Sequence, residues 1–334
     1  MNRRRAWLGL AGGLGLGLAL DVQAQAKPAR VALVFSYTPL AEMTGPEPTD
    51  SGARAFVRGL RDRGYVDGRE VVLERRSAEG HPDRLAALMQ EMVALRVDVI
   101  AATYQGVVEA ARATNTIPIV GNIDDPVGLG LTATLARPSR NVTGITGDLS
   151  MLSKRLQLLK EIAPRVRRVA LIDYKYVDSR TTPGTHARRQ EIGTTARELG
   201  ITLIPVGADD VDEIDRALAT IAAEGADGLM EAGNLITHAG RRAIVEFAAR
   251  NRLPAVYSDR EFVDAGGLLS YDGSLDASRR MAEYVAKILR GAKVIDLPFE
   301  KPTTFELVVN MKAANALGIT VPQSVLLRAD ELIR

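Results

Sequence analysis

The feature that most constrains this chain is an alternation. Short, unbroken apolar runs of strand length are separated by stretches of helical period, and the pattern repeats on both sides of one irregular segment, Ile117 to Gly147. A strand that is apolar at every position must be covered on both faces, as in a parallel sheet flanked by helices. In the first half the runs are Arg30 to Tyr37, Glu70 to Glu74, Val97 to Ala102 and Ile117 to Val120. Between them, Ala53, Phe56, Val57 and Leu60 share one helical face behind Asp50, Leu85, Leu88, Met89, Met92 and Leu95 share another behind Pro82, and Gly106 to Thr114 reads as a short third helix. In the second half the strands are Arg168 to Asp173, Ile201 to Val206, Gly225 to Glu231 and Leu253 to Tyr257, with helices at about Thr185 to Leu199, Val211 to Glu224 and Ile236 to Arg250. The pair Asn115-Thr116-Ile117-Pro118 and Asn251-Arg252-Leu253-Pro254 is one echo of a shared plan.

Ile117 to Gly147 reads as a crossover between two bodies. Its β-branched run Asn141-Val142-Thr143-Gly144-Ile145-Thr146-Gly147 is cut by glycines, which lack the Cβ that hinders a sharp bend. Gly266 to Tyr271 resembles a second crossing, the helix Leu275 to Leu289 returns to the first body, and Phe305 to Asn310 crosses a third time. At 334 residues the chain exceeds the roughly 250 to 300 at which one core usually divides. The expected fold is α/β, with two doubly wound parallel-sheet lobes joined by a three-crossover hinge. Residues 27–145 with about 272–300 form the first lobe, and residues 146–271 with about 301–334 the second.

Residues 1–26 stand outside that plan. Arg3-Arg4-Arg5, an apolar Gly-diluted stretch from Leu8 to Leu20, and small residues around Ala24 and Ala26 have the form of a cleavable signal peptide, too short to span a bilayer. Arg4-Arg5 ahead of a weakly hydrophobic core fits twin-arginine export, and ordinary secretory export stays open. Without this segment 40 basic and 40 acidic side chains remain, so nothing supports a nucleic-acid surface. The chain has no cysteine, which excludes disulfides, thiol nucleophiles and a lipid-anchored Cys. A periplasmic, monomeric protein is expected.

In open parallel sheets, ligands bind beyond the carboxyl ends of the strands. Those ends carry Ser36, Tyr37, Thr38, then Thr103, Tyr104, Gln105, then Asn122, Asp124, Asp125 in the first half. In the second half they carry Tyr174, Lys175 and Tyr176, then Glu231 and Asn234, then Ser258 and Asp259, with Tyr271 at the second crossing. Six of the eight tyrosines fall at these ends, a skew that suits a cleft wet when open and dry when shut. Hydroxyls and helix-start N–H groups would take a carboxylate, and Asp125, Asp173, Glu231 or Asp259 an ammonium group, although each acid is also a natural helix cap. Enzymatic readings find little: His81, His186 and His238 share no metal-ligand spacing and are expected in solvent, and no nucleophile elbow or phosphate loop is present. No cofactor is expected.

Several segments together resemble the substrate-binding proteins of ABC transporters of the tryptophan-binding, TrpX-like group. They are Gly59-Leu60-Arg61-Asp62-Arg63-Gly64-Tyr65, Ala78-Glu79-Gly80, Asp125-Pro126-Val127-Gly128, Leu135-Ala136-Arg137-Pro138 with Asn141-Val142-Thr143-Gly144, Glu261-Phe262-Val263, Ala265-Gly266-Gly267-Leu268, and Phe305-Glu306-Leu307-Val308-Val309-Asn310. The resemblance implies a type I periplasmic-binding-protein fold without catalytic activity. Its lobes would close over a small polar or amino-acid-like ligand and present it to a permease in the inner membrane. A ligand-sensing subunit for a signalling receptor is the alternative. The chain departs from the usual pattern at Asp173-Tyr174-Lys175-Tyr176 and at Thr103-Tyr104-Gln105, both expected ligand loops.

Overall fold

A computed structural model describes residues 27–147, 150–174 and 183–334. Residues 1–26, read above as an export signal, lie outside the described residues, as do Lys175 and Tyr176. The first sheet contains β1 (Ala29–Phe35), β2 (Val71–Ser77), β3 (Val99–Thr103), β4 (Ile119–Asn122) and β5 (Val142–Ile145) in the order β2-β1-β3-β4-β5, with every pair parallel. The second contains β6 (Arg168–Asp173), β7 (Thr202–Gly207), β8 (Gly228–Glu231), β9 (Ala255–Tyr257), β10 (Leu269–Asp272), β11 (Glu306–Asn310) and β12 (Glu331–Ile333) in the order β12-β11-β10-β9-β8-β6-β7. β11 runs antiparallel to β10, so this sheet is mixed at one side, because the chain re-enters it from the other lobe.

The continuous apolar runs divide between two faces as a parallel sheet requires. Val31, Leu33 and Phe35 pack with Phe56, Leu60, Met281 and Val285 on one side, while Ala32 and Val34 pack with Leu85, Met89, Met92 and Val107 on the other. The helix Ser274–Leu289 therefore belongs to the first lobe's core although β10, just before it, belongs to the second sheet. Each fully buried side chain of this size contributes about 1.5 to 3 kcal/mol. In the second lobe Ala170, Ile172, Leu229 and Tyr257 face the helices Ile214–Ala223 and Arg241–Arg250, and Val169, Leu171, Met230 and Val256 face the helix Met151–Ile162.

Two readings of the sequence need correction. The stretch Ile236 to Arg250 is two helices, Leu235–Ala239 and Arg241–Arg250, broken at Gly240, where the backbone leaves helical geometry (φ −84°, ψ 7°) and a Cβ would stand 2.8 Å from Ile214 Cγ1. Ile117 to Gly147 contains two strands of the first sheet, and the passage to the second lobe follows β5. At that edge Gly144 has φ of +145°, and a Cβ on it would lie 1.9 Å from the Gly121 carbonyl oxygen, so the backbones of β4 and β5 approach here as only glycine allows. The third connection is bonded to the first: Glu300 N–H donates to Gly144 O at 3.0 Å and Thr146 N–H to Glu300 O at 2.8 Å.

Candidate functional site

In both sheets the strand order reverses direction at a switch point, between β1 and β3 in the first and between β6 and β8 in the second. A crevice opens at such a point. Here the two crevices face each other and enclose a cavity of about 90 Å³. Tyr104, Asn122 and Asp124 line it from the first lobe, and Arg155, Arg188, Gly233, His238, Ser258 and Asp259 from the second. The connections add Asp272, Gly273, Ser274, Pro302 and Phe305.

The second-lobe wall is held by buried charge. Arg155, 6% exposed, donates from Nε to Tyr271 O at 2.9 Å and from a terminal nitrogen to Ser258 O at 3.3 Å. Glu231, wholly buried, accepts from Ser258 N at 2.5 Å, Gly233 N at 2.6 Å and Thr237 Oγ1 at 2.8 Å, fixing two loops that reach the cavity. Asp259 caps the helix Arg260–Asp264 through Glu261 N at 2.9 Å and accepts from Ser274 Oγ at 3.0 Å. Burial, with Asp259 alongside, pushes the Asp272 carboxyl up to about 7 against the opposing pull of Arg155.

The first-lobe wall sets aromatic rings beside Asn122 and Asp124. Tyr104, at φ +52°, begins the helix Gln105–Ala113, a strained backbone for a residue with a Cβ and one that turns its ring toward the cleft. Tyr37 lies 5.8 Å from Tyr104 and stacks on His238 of the opposite lobe, ring centroids 4.0 Å apart and planes at 15°. Burial pushes both phenols up, so they remain neutral O–H donors. Burial also pushes the His238 imidazole down, outweighing Asp259 and Glu231. The expectation of a solvated His238 is thus overturned: it is 2% exposed, and its Nδ1 has no hydrogen-bond partner. A second contact crosses the cleft where Arg188 meets Asp124 at 3.4 Å, while Asp173 of its own lobe stands 3.5 Å away.

Of the residues singled out from strand ends, Tyr104, Asn122, Asp124, Ser258 and Asp259 line the cavity, and Tyr37 stacks on the cavity residue His238. Thr103 is buried behind the wall with Oγ1 unpartnered. The other described ones lie off it, most with their polar groups in internal bonds. Ser36 Oγ donates to Thr103 O, Thr38 Oγ1 to Asp50, Gln105 Nε2 to Glu109, and Asp125 accepts from Gly128 N. Asn234 caps the helix Leu235–Ala239 and donates to Asp173, and Glu231 acts only through the loops it holds. Tyr174 packs on the second-lobe core, Tyr271 stacks on Phe305, and Tyr257 is buried against Phe262, so among the described residues the tyrosine skew marks the cleft at Tyr37 and Tyr104.

Arg155, Arg188, Asp272, Ser274 and Phe305 were not anticipated. Arg155 had a visible signal, since it falls on the apolar face of its helix with Leu152, Leu156 and Leu159, where a charge needs buried partners.

A family model described as ABC transporter substrate binding protein matches residues 47–333. The chain belongs to that family. Among relatives of this substrate-binding protein, a tyrosine-binding protein of Clostridioides difficile (strain R20291) is 24% identical over 276 residues, spanning 81% of this chain and 77% of the relative. A conserved domain protein from Vibrio cholerae O1 biovar El Tor superposes with a TM-score of 0.79 at 26% identity, over 92% of this chain and all 100% of that one. An ABC domain from Streptococcus pneumoniae in complex with L-Trp gives a TM-score of 0.79 at 24% identity with the same coverage, 92% and 100%. Among the described residues of the substrate-binding protein no helix is long and apolar enough to cross a membrane.

Proposed function

We propose that this protein captures a small polar, amino-acid-like molecule between its lobes in the periplasm, reaching that compartment through residues 1–26, and hands it as a monomer to the permease of an ABC importer. The observation that carries this reading is the pairing of opposite charges within one enclosed space: Arg155 and Arg188 beside Asp124, Asp259 and Asp272. A zwitterion complements such a wall, with its carboxylate toward guanidinium and hydroxyl donors and its ammonium toward the acids. Each charge-assisted bond contributes roughly 1.5 to 3 kcal/mol. The ligands named for the relatives, tyrosine and L-Trp, are amino acids. The cavity of about 90 Å³ is smaller than the roughly 150 Å³ that admits benzene, so an aromatic side chain would enter only with the Tyr37–His238 stack displaced.

Melting the protein with a panel of amino acids, nucleosides and sugars tests the reading. A ligand at a hundredfold excess over its Kd adds about 2.7 kcal/mol, which raises the melting temperature by several degrees. A small or aromatic amino acid is expected to produce that rise, and a flat response across the whole panel would refute the proposal.

A further inference from the structure

Away from the cavity, on the outer rim of the cleft, one carboxyl crosses from lobe to lobe. Glu261, in the second-lobe helix Arg260–Asp264, accepts from the N–H and the Oγ of Ser51, both at 3.4 Å. Ser51 opens the first-lobe helix Ser51–Arg61, whose cap Asp50 binds Ala53 N at 2.6 Å and Thr38 Oγ1 at 3.0 Å. The negative charge of Asp50, next to Ser51 in the chain, bears on Glu261. The second Glu261 oxygen, Oε2, is buried without a donor, and Arg241 Nε stands 4.0 Å from it. Arg241 is shared, since it also donates to Glu42 of the first lobe at 3.1 Å. Asp259 and the Tyr37 phenol face the same spot. Glu261 thus shares one guanidinium with Glu42, and Asp50 and Asp259 act on it as further acids.

We propose that Glu261 is a proton-dependent latch: protonated, it holds the lobes shut, and ionised, it favours their opening. The inference rests on the two-lobed capture reading above and adds a control on closure that touches no ligand.

The sign follows from the environments. Burial, then Asp259 and Asp50, pushes the Glu261 carboxyl up to about 10 in the closed form, whereas water reached on opening returns it to the ordinary 4.5. Closing therefore takes up a proton. The latch is fully engaged below the ordinary value, and its contribution falls about tenfold per pH unit as pH rises toward the closed-form value. Two other groups titrate lower. His238, pushed down by burial, opposes closure only below about its ordinary value of 6.5, and Asp272 shifts to about 7. Between pH 7.5 and 9 the slope belongs to Glu261.

Because the chain has no cysteine, a dye pair placed by Arg69→Cys and Glu224→Cys, at exposed positions of the two lobes, reports closure by energy transfer without any ligand. The closed-to-open ratio is expected to fall by up to about tenfold per unit from pH 7.5 to 9. Glu261→Gln, which cannot ionise, is expected to remove the slope. Asp50→Asn, which preserves the helix cap and removes the neighbouring charge, is expected to reduce it. A pH-independent ratio in the parent protein, or the parent slope persisting in either variant, would overturn the latch. The dye readout needs no ligand, so a protein that bound nothing in the melting panel would refute the capture reading without deciding this one.

Discussion

The two walls of the cleft are built from different materials. The second-lobe wall contains an arginine and a glutamate withdrawn from solvent, each bonded to the loops around it before any ligand arrives. The first-lobe wall presents Tyr104 beside Tyr37, whose ring stacks on His238 of the other lobe, with Asp124 its one charged group toward Arg188. Fixed charges in a low-dielectric setting need no reorganisation to receive a polar molecule, while rings can part and return with little penalty. On the capture reading proposed above, selection of the ligand would fall mainly to the second lobe and its enclosure to the first.

The largest effect should come from breaking the charged side. Arg155→Met leaves the carbonyls of Tyr271 and Ser258 without a donor and removes the cation beside Asp272, so stability should fall by about 3 kcal/mol in urea titration. Calorimetry with the most stabilising amino acid should show at least about a hundredfold loss of affinity, equal to about 2.7 kcal/mol. Next, Glu231→Gln cannot accept from Ser258 and Gly233 as a carboxylate does, and should lower stability by about 2 kcal/mol with a parallel loss of binding.

Wedging the seam should act on enclosure alone. A Cβ at Gly80 of the first lobe would stand 2.6 Å from the Ala239 Cβ of the second, and the glycine has φ of +88°. Gly80→Ala should cost about 1 kcal/mol of backbone strain, weaken binding by about tenfold and increase the radius of gyration in X-ray scattering of the liganded protein. The smallest effect is expected from Tyr37→Leu, which loses the stack on His238, worth about 1 kcal/mol or about fivefold in affinity, with little change in melting. If Tyr37→Leu reduced binding more than Arg155→Met, the division of labour between the walls would be reversed.

The sheets were legible because their signal is local. A run such as Val169-Ala170-Leu171-Ile172, apolar at every position, has few homes other than a doubly covered parallel strand. The antiparallel return of β11 was not legible, since strand direction is set by where the chain comes from and leaves no mark on composition. At the site, strand ends gave a correct address and an incomplete roster. Ser258 and Asp259 face the cavity, whereas Glu231 and Asn234, equally polar and equally placed, turn inward to hold loops, a choice that depends on neighbours distant in sequence such as Ser258 and Asp173. His238 was misjudged for the same reason, because its cover is Tyr37, brought from the other lobe.

The bond pair that ties Glu300 to Gly144 and Thr146 limits how this molecule can move. Two of its three connections are laced into one ribbon, and a ribbon flexes across its flat face far more readily than it shears along its length. The lobes should therefore swing about one axis, so each opening and closing retraces the same arc and presents the same pair of faces.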